Sequence, residues 1–168
     1  MKTLSTNTLK TSLVATAALL GTLGALSAPV AHAADEVSIT ADAQASRLAV
    51  QGYDVVSYQT PGEPVVGAAR FETEYEGATY RFSSQANLDT FTVDPARYVP
   101  AYGGFCAYGV AKGKKFDADP TAYTVENGQL YLNLNKKIQK KWLKKQDKYI
   151  DQAEANWPGI QNTAISDL

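Results

Sequence analysis

Cys106 is the residue whose chemistry could most readily carry a function, because it is the only cysteine in the 168-residue chain. It lies in a segment dense in glycine and aromatic residues that runs from Tyr102 to Val110. A single cysteine cannot form a disulfide within its own chain, which leaves three interpretations: a buried small apolar residue, a reactive or ligating thiol, or a link to a second chain. The apolar neighbours Phe105 and Ala107 favour burial, which raises a thiol pKa. We therefore expect no disulfide-linked dimer.

A small ligand site around Cys106 is the function that the neighbouring residue types favour. Tyrosines supply flat apolar surface with a polar tip, and one thiolate with one carboxylate could hold a metal or a haem-like group. Glycines at positions 103, 104 and 109 would let backbone or ligand approach closely. The candidate ligand-binding residues are Cys106, Tyr53, Asp54, Tyr58, Tyr102 and Tyr108. The alternative is an aromatic core in which the glycines serve tight packing and Cys106 is inert.

Histidine and methionine each occur once, as His32 and Met1. Without a histidine beyond residue 33, that part of the chain cannot run Ser-His-Asp or Cys-His catalysis, and no catalytic residue is assigned. The usual ligands of zinc and copper are also missing, so a tight zinc or copper(II) site is not expected. The sequence does not identify any other cofactor. A thiol-dependent enzyme is a less favoured alternative, which would need Cys106 to be activated by a helix N-terminus or by Lys112.

The N-terminus has the organisation of a secretory signal peptide. Lys2 and Lys10 supply a positive start, an uncharged apolar stretch follows over residues 13–26, and Ala31-His32-Ala33 places small residues at a cleavage site. We expect cleavage between Ala33 and Ala34 and a periplasmic or secreted protein. The apolar stretch is shorter than the roughly 20 residues that a membrane span needs, so no stable membrane anchor is expected.

The chain beyond the signal peptide is long enough for one domain with its own core. Residues 34–168 carry 14 lysines and arginines against 17 acids, which is mildly acidic. The predicted organisation is a signal peptide over 1–33, a flexible lead-in over 34–47, a domain over 48–160 and a tail over 161–168.

Local patterns predict an α+β fold. Two alternating stretches on either side of Glu76-Gly77 predict one hairpin, and stretches on either side of Asn127-Gly128 predict a second. We expect both hairpins to form one small antiparallel sheet. A short helix should run over Ser84–Val93, with Ser83 or Ser84 as its cap, since Asp94-Pro95 stops it.

A long amphipathic C-terminal helix is predicted to start at Asn135 and to end at Pro158-Gly159. Apolar residues recur near helical spacing, with Trp142 and Trp157 among them, and these two are expected in the core. The opposite face carries Lys136, Lys137, Lys140, Lys141, Lys144, Lys145 and Lys148. This face is either an anion or membrane-surface patch or an ordinary solvated face. It has no arginine for forked phosphate recognition, and nucleic acid is not an expected partner.

The segment Tyr80-Arg81-Phe82-Ser83-Ser84, followed by Phe91, Asp94-Pro95 and Tyr98, resembles the YHS domain. That domain has a hairpin strand ending in Tyr-x-Phe, a short helix, and Asp-Pro-x-x-Tyr. The later segments 102–110, 130–135 and 155–158 are similar to those of exported bacterial YHS domain-containing proteins, and the resemblance covers about residues 48–160.

The resemblance implies a metal role that these residues do not support. YHS domains of metal-handling proteins resemble zinc-ribbon-like modules and use cysteines at three places, which fall on Ser57, Ser83 and Asn87 in this chain. Serine and asparagine are poor substitutes for soft thiolates. The sequence therefore favours a non-enzymatic binding module with a small site near Cys106. The alternative is a structural or partner-binding envelope protein without a small-molecule site, so the partner is an unknown small ligand or an envelope protein.

Overall fold

A computed structural model describes residues 48–60 and 63–168 of the chain. The predicted signal peptide and lead-in, residues 1–47, lie outside the described residues. Within the two described ranges, no helix has both the length and the apolar character needed to cross a membrane.

Both predicted hairpins are present. Strands β1 (Ala68–Tyr75) and β2 (Ala78–Phe82) pair antiparallel, as do β3 (Asp119–Glu126) and β4 (Gln129–Asn133). The turns Glu76-Gly77 and Asn127-Gly128 have φ values of 47° and 75°, and of 51° and 80°. Positive φ at both turn positions matches the right-handed twist of the flanking strands, which is why such dipeptides close two-residue hairpins.

The prediction of a single sheet was wrong, because the hairpins form two separate two-stranded sheets. Each long strand has an irregular register, between Ala68 and Glu72 in β1 and between Asp119 and Tyr123 in β3. Such bulges bend a strand and increase its twist, which opposes a continuous four-stranded sheet. The α+β fold class itself is confirmed.

Four α-helices complete the described part of the chain: α1 (Gln85–Val93), α2 (Ala107–Val110), α3 (Lys136–Leu143) and α4 (Gln146–Ile160). The predicted caps are confirmed. The Ser84 hydroxyl accepts the Asn87 N–H at 3.2 Å, and the Asn135 side chain accepts the Ile138 N–H at 3.0 Å. Short 3₁₀ turns lie at Ala49–Gly52, Ser57–Gln59, Pro95–Arg97, Ala101–Gly104 and Ile165–Asp167.

The long C-terminal helix is in fact two helices, with a break at Lys144 and Lys145, where Lys145 has φ −148° and ψ 47°. Lysines four residues apart repel one another and weaken a continuous helix at this point. The break allows α3 to pack on β3 and β4 while α4 packs on α2. Pro158 does not end α4 as predicted. A proline within a helix lacks the N–H bond to residue i−4 and crowds the carbonyl of that residue. The helix nevertheless continues to Ile160, and the Gln161 N–H still donates to the Trp157 carbonyl at 2.9 Å.

Buried side chains form two groups, which we call the hairpin core and the helix core. The hairpin core includes Val55, Tyr58, Tyr80, Phe82, Phe91, Leu130 and Leu132. The helix core includes Tyr102, Phe105, Val110, Tyr131, Trp142 and Ala153. Strand β4 contributes side chains to both cores, because alternate side chains point to opposite faces of a strand. Leu130 and Leu132 enter the hairpin core while Tyr131 enters the helix core.

Candidate functional site

Asp54 is a fully buried carboxylate at the edge of the hairpin core, with 0% of its surface exposed. Its Oδ1 accepts the backbone N–H groups of Val56 at 2.9 Å and Ser57 at 3.3 Å. Its Oδ2 accepts the Ser83 N–H at 2.8 Å, the Ser83 hydroxyl at 2.6 Å and the Asn87 side-chain amide at 2.6 Å. Five donors thus replace the water that the carboxylate loses on burial.

The three positions at which the resemblance places cysteines all contact this carboxylate. Ser57 also donates its hydroxyl to the Asp54 carbonyl at 2.6 Å and accepts the Val65 N–H at 3.1 Å. Asn87 also donates to the Ser83 hydroxyl at 3.3 Å. We call Asp54, Ser57, Ser83 and Asn87 the Asp54 network. The resemblance thus pointed to residues that do lie together, although they are not metal ligands of the thiolate type.

The Asp54 network does not fit a zinc or copper ion. Its only ionisable member is Asp54, both of whose oxygens are already hydrogen-bonded, and the other members are neutral hard donors. Across residues 48–60 and 63–168, no three His, Cys, Asp or Glu side chains come together as a metal-binding group. Hydrogen bonds to Asp54 therefore connect the positions at which the resemblance implies metal-binding thiolates.

Cys106 lies at the N-terminus of α2 and is 1% exposed. Its Sγ accepts the Gly109 N–H at 3.4 Å, and the thiol lies 3.9 Å from the Asn133 side-chain oxygen. Burial raises the pKa of the Cys106 thiol, and this effect outweighs the backbone N–H groups near the sulfur, which lower the pKa. A covered, protonated thiol is a poor nucleophile and a poor metal ligand.

Cys106 should therefore react slowly with a thiol reagent in the native protein and rapidly once the protein is denatured. If exposure requires a local opening that costs about 3 kcal/mol, native labelling is slowed roughly a hundredfold. The measurement is the rate of labelling with a chromogenic disulfide at neutral pH, with and without denaturant, together with a non-reducing gel. Labelling at equal rates in both states, or a dimer on the gel, would contradict the assignment.

The six candidate ligand-binding residues do not form one site. Tyr53, Asp54 and Tyr58 belong to the hairpin core or its edge, whereas Tyr102 and Tyr108 pack in or against the helix core beside Cys106. Two of the tyrosine hydroxyls already donate hydrogen bonds within the protein. Tyr58 donates to the Pro120 carbonyl and Tyr102 to a Glu154 carboxylate oxygen, both at 2.9 Å.

Gly109 serves packing rather than a ligand. A Cβ on Gly109 would come within 2.7 Å of the Phe116 ring and 3.2 Å of the Lys114 carbonyl oxygen. Gly103 and Gly104 have φ values of 60° and 81° and form a left-handed turn together with Tyr102. The glycines of this segment are explained by a tight turn and by a close approach of α2 to the following loop.

A different set of residues lines a small open cleft of about 150 Å³: Glu76, Tyr80, Val99, Pro100, Gly103, Trp157 and Gln161. They come from the turn of the first hairpin, from strand β2, from the 3₁₀ turn at 101–104 and the two residues before it, and from the end of α4. No sequence pattern predicts this cleft, because its lining residues are far apart in the chain and follow no motif. The nearest signal was the glycine and aromatic density around Gly103.

The aromatic residues of the cleft pack against other aromatic rings. The Trp157 ring packs 5.9 Å from Tyr102 and 6.3 Å from Phe105, measured between ring centroids. Tyr80 is 3% exposed and stacks on Phe91 at 5.1 Å. Burial and then the nearby Glu76 raise the pKa of the Tyr80 hydroxyl further above its ordinary value. The lining thus combines a carboxylate, a neutral phenol, an indole and an amide.

Lys115 fixes the C-terminal end of α4 at the border of this cleft. It is 1% exposed, its Nζ donates to the Gln161 carbonyl at 3.0 Å, and the same nitrogen lies 5.2 Å from the centre of the Phe105 ring. A cation at a helix C-terminus is favoured by the helix dipole. Gln161, which the sequence assigned to the tail, therefore takes part in the packing of the domain.

One known family matches part of the chain. Residues 56–102 match the YHS domain, and this range contains Ser57, Ser83 and Asn87 of the Asp54 network. This part of the chain therefore matches a YHS domain. No curated protein and no solved structure matched the chain significantly.

Proposed function

We propose that this chain is an exported, non-enzymatic binding module, and that the cleft beside Trp157 binds a small organic cation. The observation that carries the proposal is the lining of the cleft, in which an acidic side chain lies with aromatic rings and no lysine, arginine or histidine is a lining residue. Lys115 at the border is covered, and its ammonium group donates to the Gln161 carbonyl. Export is supported by the charge, apolar run and small residues of positions 1–33.

The chemistry of the lining selects for positive charge. An indole ring attracts a cation through the negative charge density of its face, and a carboxylate adds a direct attraction. Val99 and Pro100 supply apolar surface for the carbon substituents of an amine. The ligand is therefore an alkylated or primary ammonium group rather than an anion.

The size of the cleft limits the ligand. Pockets for drug-sized ligands measure about 300–1,000 Å³, whereas this cleft measures about 150 Å³. Only a group of a few heavy atoms fits, either as a free small amine or as the terminal ammonium of a larger molecule that extends into solvent. A binding role is favoured over a thiol-dependent enzyme because Cys106, the only thiol, is covered and has a raised pKa.

Trp157 fluorescence provides the test. The chain has two tryptophans, and Trp142→Phe leaves Trp157 as the only one. Tetramethylammonium should change the emission of this variant in a saturable way. Adding Glu76→Gln should weaken the binding about tenfold, which corresponds to about 1.4 kcal/mol and is the scale of one charged contact.

Glu74→Gln is the matched control, because Glu74 is an exposed glutamate of the same hairpin and does not line the cleft. It should leave the affinity for tetramethylammonium unchanged. An equal loss of affinity in the Glu74 and Glu76 variants would show that the effect comes from net charge alone and would contradict the proposed site. The absence of saturable binding in the parent would contradict the proposed function.

A further inference from the structure

We propose that the exposed face of α3 and the start of α4 is a docking surface for an anionic lipid bilayer. Seven of the thirteen residues from 136 to 148 are lysines, and Asp147 is the only acid among them. All seven lysines are exposed. The inference is independent of the cleft, to which these residues do not contribute.

The lysines share one side of α3. At 100° per residue, Lys136, Lys140, Lys144, Lys137 and Lys141 follow one another over an arc of about 140°. The opposite side holds Trp142, which is 0% exposed, and Gln139, which donates to the Tyr123 carbonyl of β3. Packing on the hairpin therefore fixes which side of α3 faces out.

These positive charges have no acidic partners. None of these seven lysines forms an ion pair within 4.0 Å in the described part of the chain, whereas Arg81 and Glu72, far from α3 in sequence, do form one. Lys136 alone is partly engaged, because its Nζ donates to the Thr121 carbonyl. The whole chain has a net charge of −1, so this concentration of positive charge is segregated and not a general property of the surface. A segregated field of one sign attracts an extended surface of the opposite sign.

Leu143 favours a bilayer over other polyanions. This leucine is 46% exposed at the C-terminal end of α3, between Lys141 and Lys144, and its direction on the helix is next to that of Lys136. An apolar side chain within a lysine field can enter the boundary between headgroups and acyl chains. Nucleic acid recognition would use arginine or exposed aromatic rings, whereas the stretch 136–148 has no arginine and its tryptophan is buried.

The test is co-sedimentation with phosphatidylcholine vesicles that contain increasing amounts of phosphatidylglycerol. The protein is used as recovered from cells, with its N-terminus fixed by intact-mass measurement. Binding should rise with the anionic lipid and fall when salt is raised from low ionic strength to about 0.15 M. The triple variant Lys140→Gln, Lys141→Gln, Lys144→Gln should bind at least about tenfold more weakly, since each lysine near an anionic surface contributes about fivefold.

The triple variant Arg70→Gln, Arg97→Gln, Lys114→Gln is the matched control, because all three residues are exposed and lie outside α3 and α4, and their replacement removes the same amount of positive charge. It should bind as the parent does. Leu143→Ser should lower the binding that persists at 0.15 M salt more than the binding at low salt. Equal binding of the parent and the triple lysine variant would overturn the proposal. So would equal parental binding to vesicles with and without phosphatidylglycerol, or tighter binding to an oligonucleotide or polyglutamate than to anionic vesicles.

Discussion

Replacing Asp54 with alanine should lower the free energy of unfolding by about 3–5 kcal/mol. The change removes the acceptor of five hydrogen bonds and leaves the Ser83 hydroxyl and the backbone N–H groups of Val56 and Ser83 without their partner. The Ser57 N–H keeps the Asp54 carbonyl at 3.0 Å, and the Asn87 amide keeps the Ser83 hydroxyl at 3.3 Å. Each buried donor left unsatisfied costs about 1–3 kcal/mol, although some of these groups can reach water after the change. Denaturant unfolding at neutral pH measures the loss.

Asp89→Ala is the control for Asp54→Ala. Asp89 is exposed on α1 and accepts only the Gln85 side chain. Its replacement should change stability by less than about 0.5 kcal/mol. A strong chelator added to the parent should leave the unfolding midpoint unchanged, because hydrogen bonds and not a metal hold the Asp54 network together. A midpoint that falls with chelator, or an Asp54→Ala variant as stable as Asp89→Ala, would contradict this account of the network.

Replacing Trp142 with alanine should also cost about 3–5 kcal/mol, the range for deleting a large buried aromatic side chain. Trp142 is 0% exposed, and its ring centroid lies 5.3 Å from that of Tyr131. Its Nε1 has no hydrogen-bond partner in the described part of the chain. Trp142→Phe should therefore cost much less, since it keeps most of the apolar contact and removes a buried N–H that is already unsatisfied.

Leu143→Ala is the control for Trp142→Ala, because Leu143 is the adjacent residue of α3 and is 46% exposed. It should change stability by less than about 0.5 kcal/mol. Thermal or denaturant unfolding of the three variants gives the comparison. If Trp142→Ala unfolded at the midpoint of Leu143→Ala, the tryptophan would not be a core residue, and the orientation assigned to α3 would be wrong.

Local elements of this fold could be predicted from sequence because their signals are local. Asn127-Gly128 and Glu76-Gly77 need only their own backbone angles to close a hairpin, and Ser84 and Asn135 cap helices through N–H groups three residues away. The arrangement of the two hairpins was not predictable in this way. Whether hairpins pair or pack depends on bulges and on long-range contacts that no short window of sequence contains.

The Asp54 network and the cleft show the same contrast between local and long-range signals. Asp54 was singled out together with tyrosines, but its partners Ser83 and Asn87 are 29 and 33 residues away, so only the family resemblance suggested that these positions belong together. The cleft joins Glu76 of a hairpin turn with Trp157 of the last helix. Trp157 was assigned to the core from its helical spacing, and it is partly buried, with its remaining surface at the cleft.

The central claim is that the cleft beside Trp157, and not the surroundings of Cys106, binds a small organic cation. Amide chemical-shift mapping of the isotope-labelled protein tests it most directly, with tetramethylammonium, neutral tert-butanol of similar size and acetate as parallel probes. The account predicts saturable shifts with tetramethylammonium at Glu76, Gly103 and the Trp157 indole N–H, and weak, unsaturated responses to the other two probes. Shifts centred on Cys106 and Tyr108, or an equal response to all three probes, would contradict it.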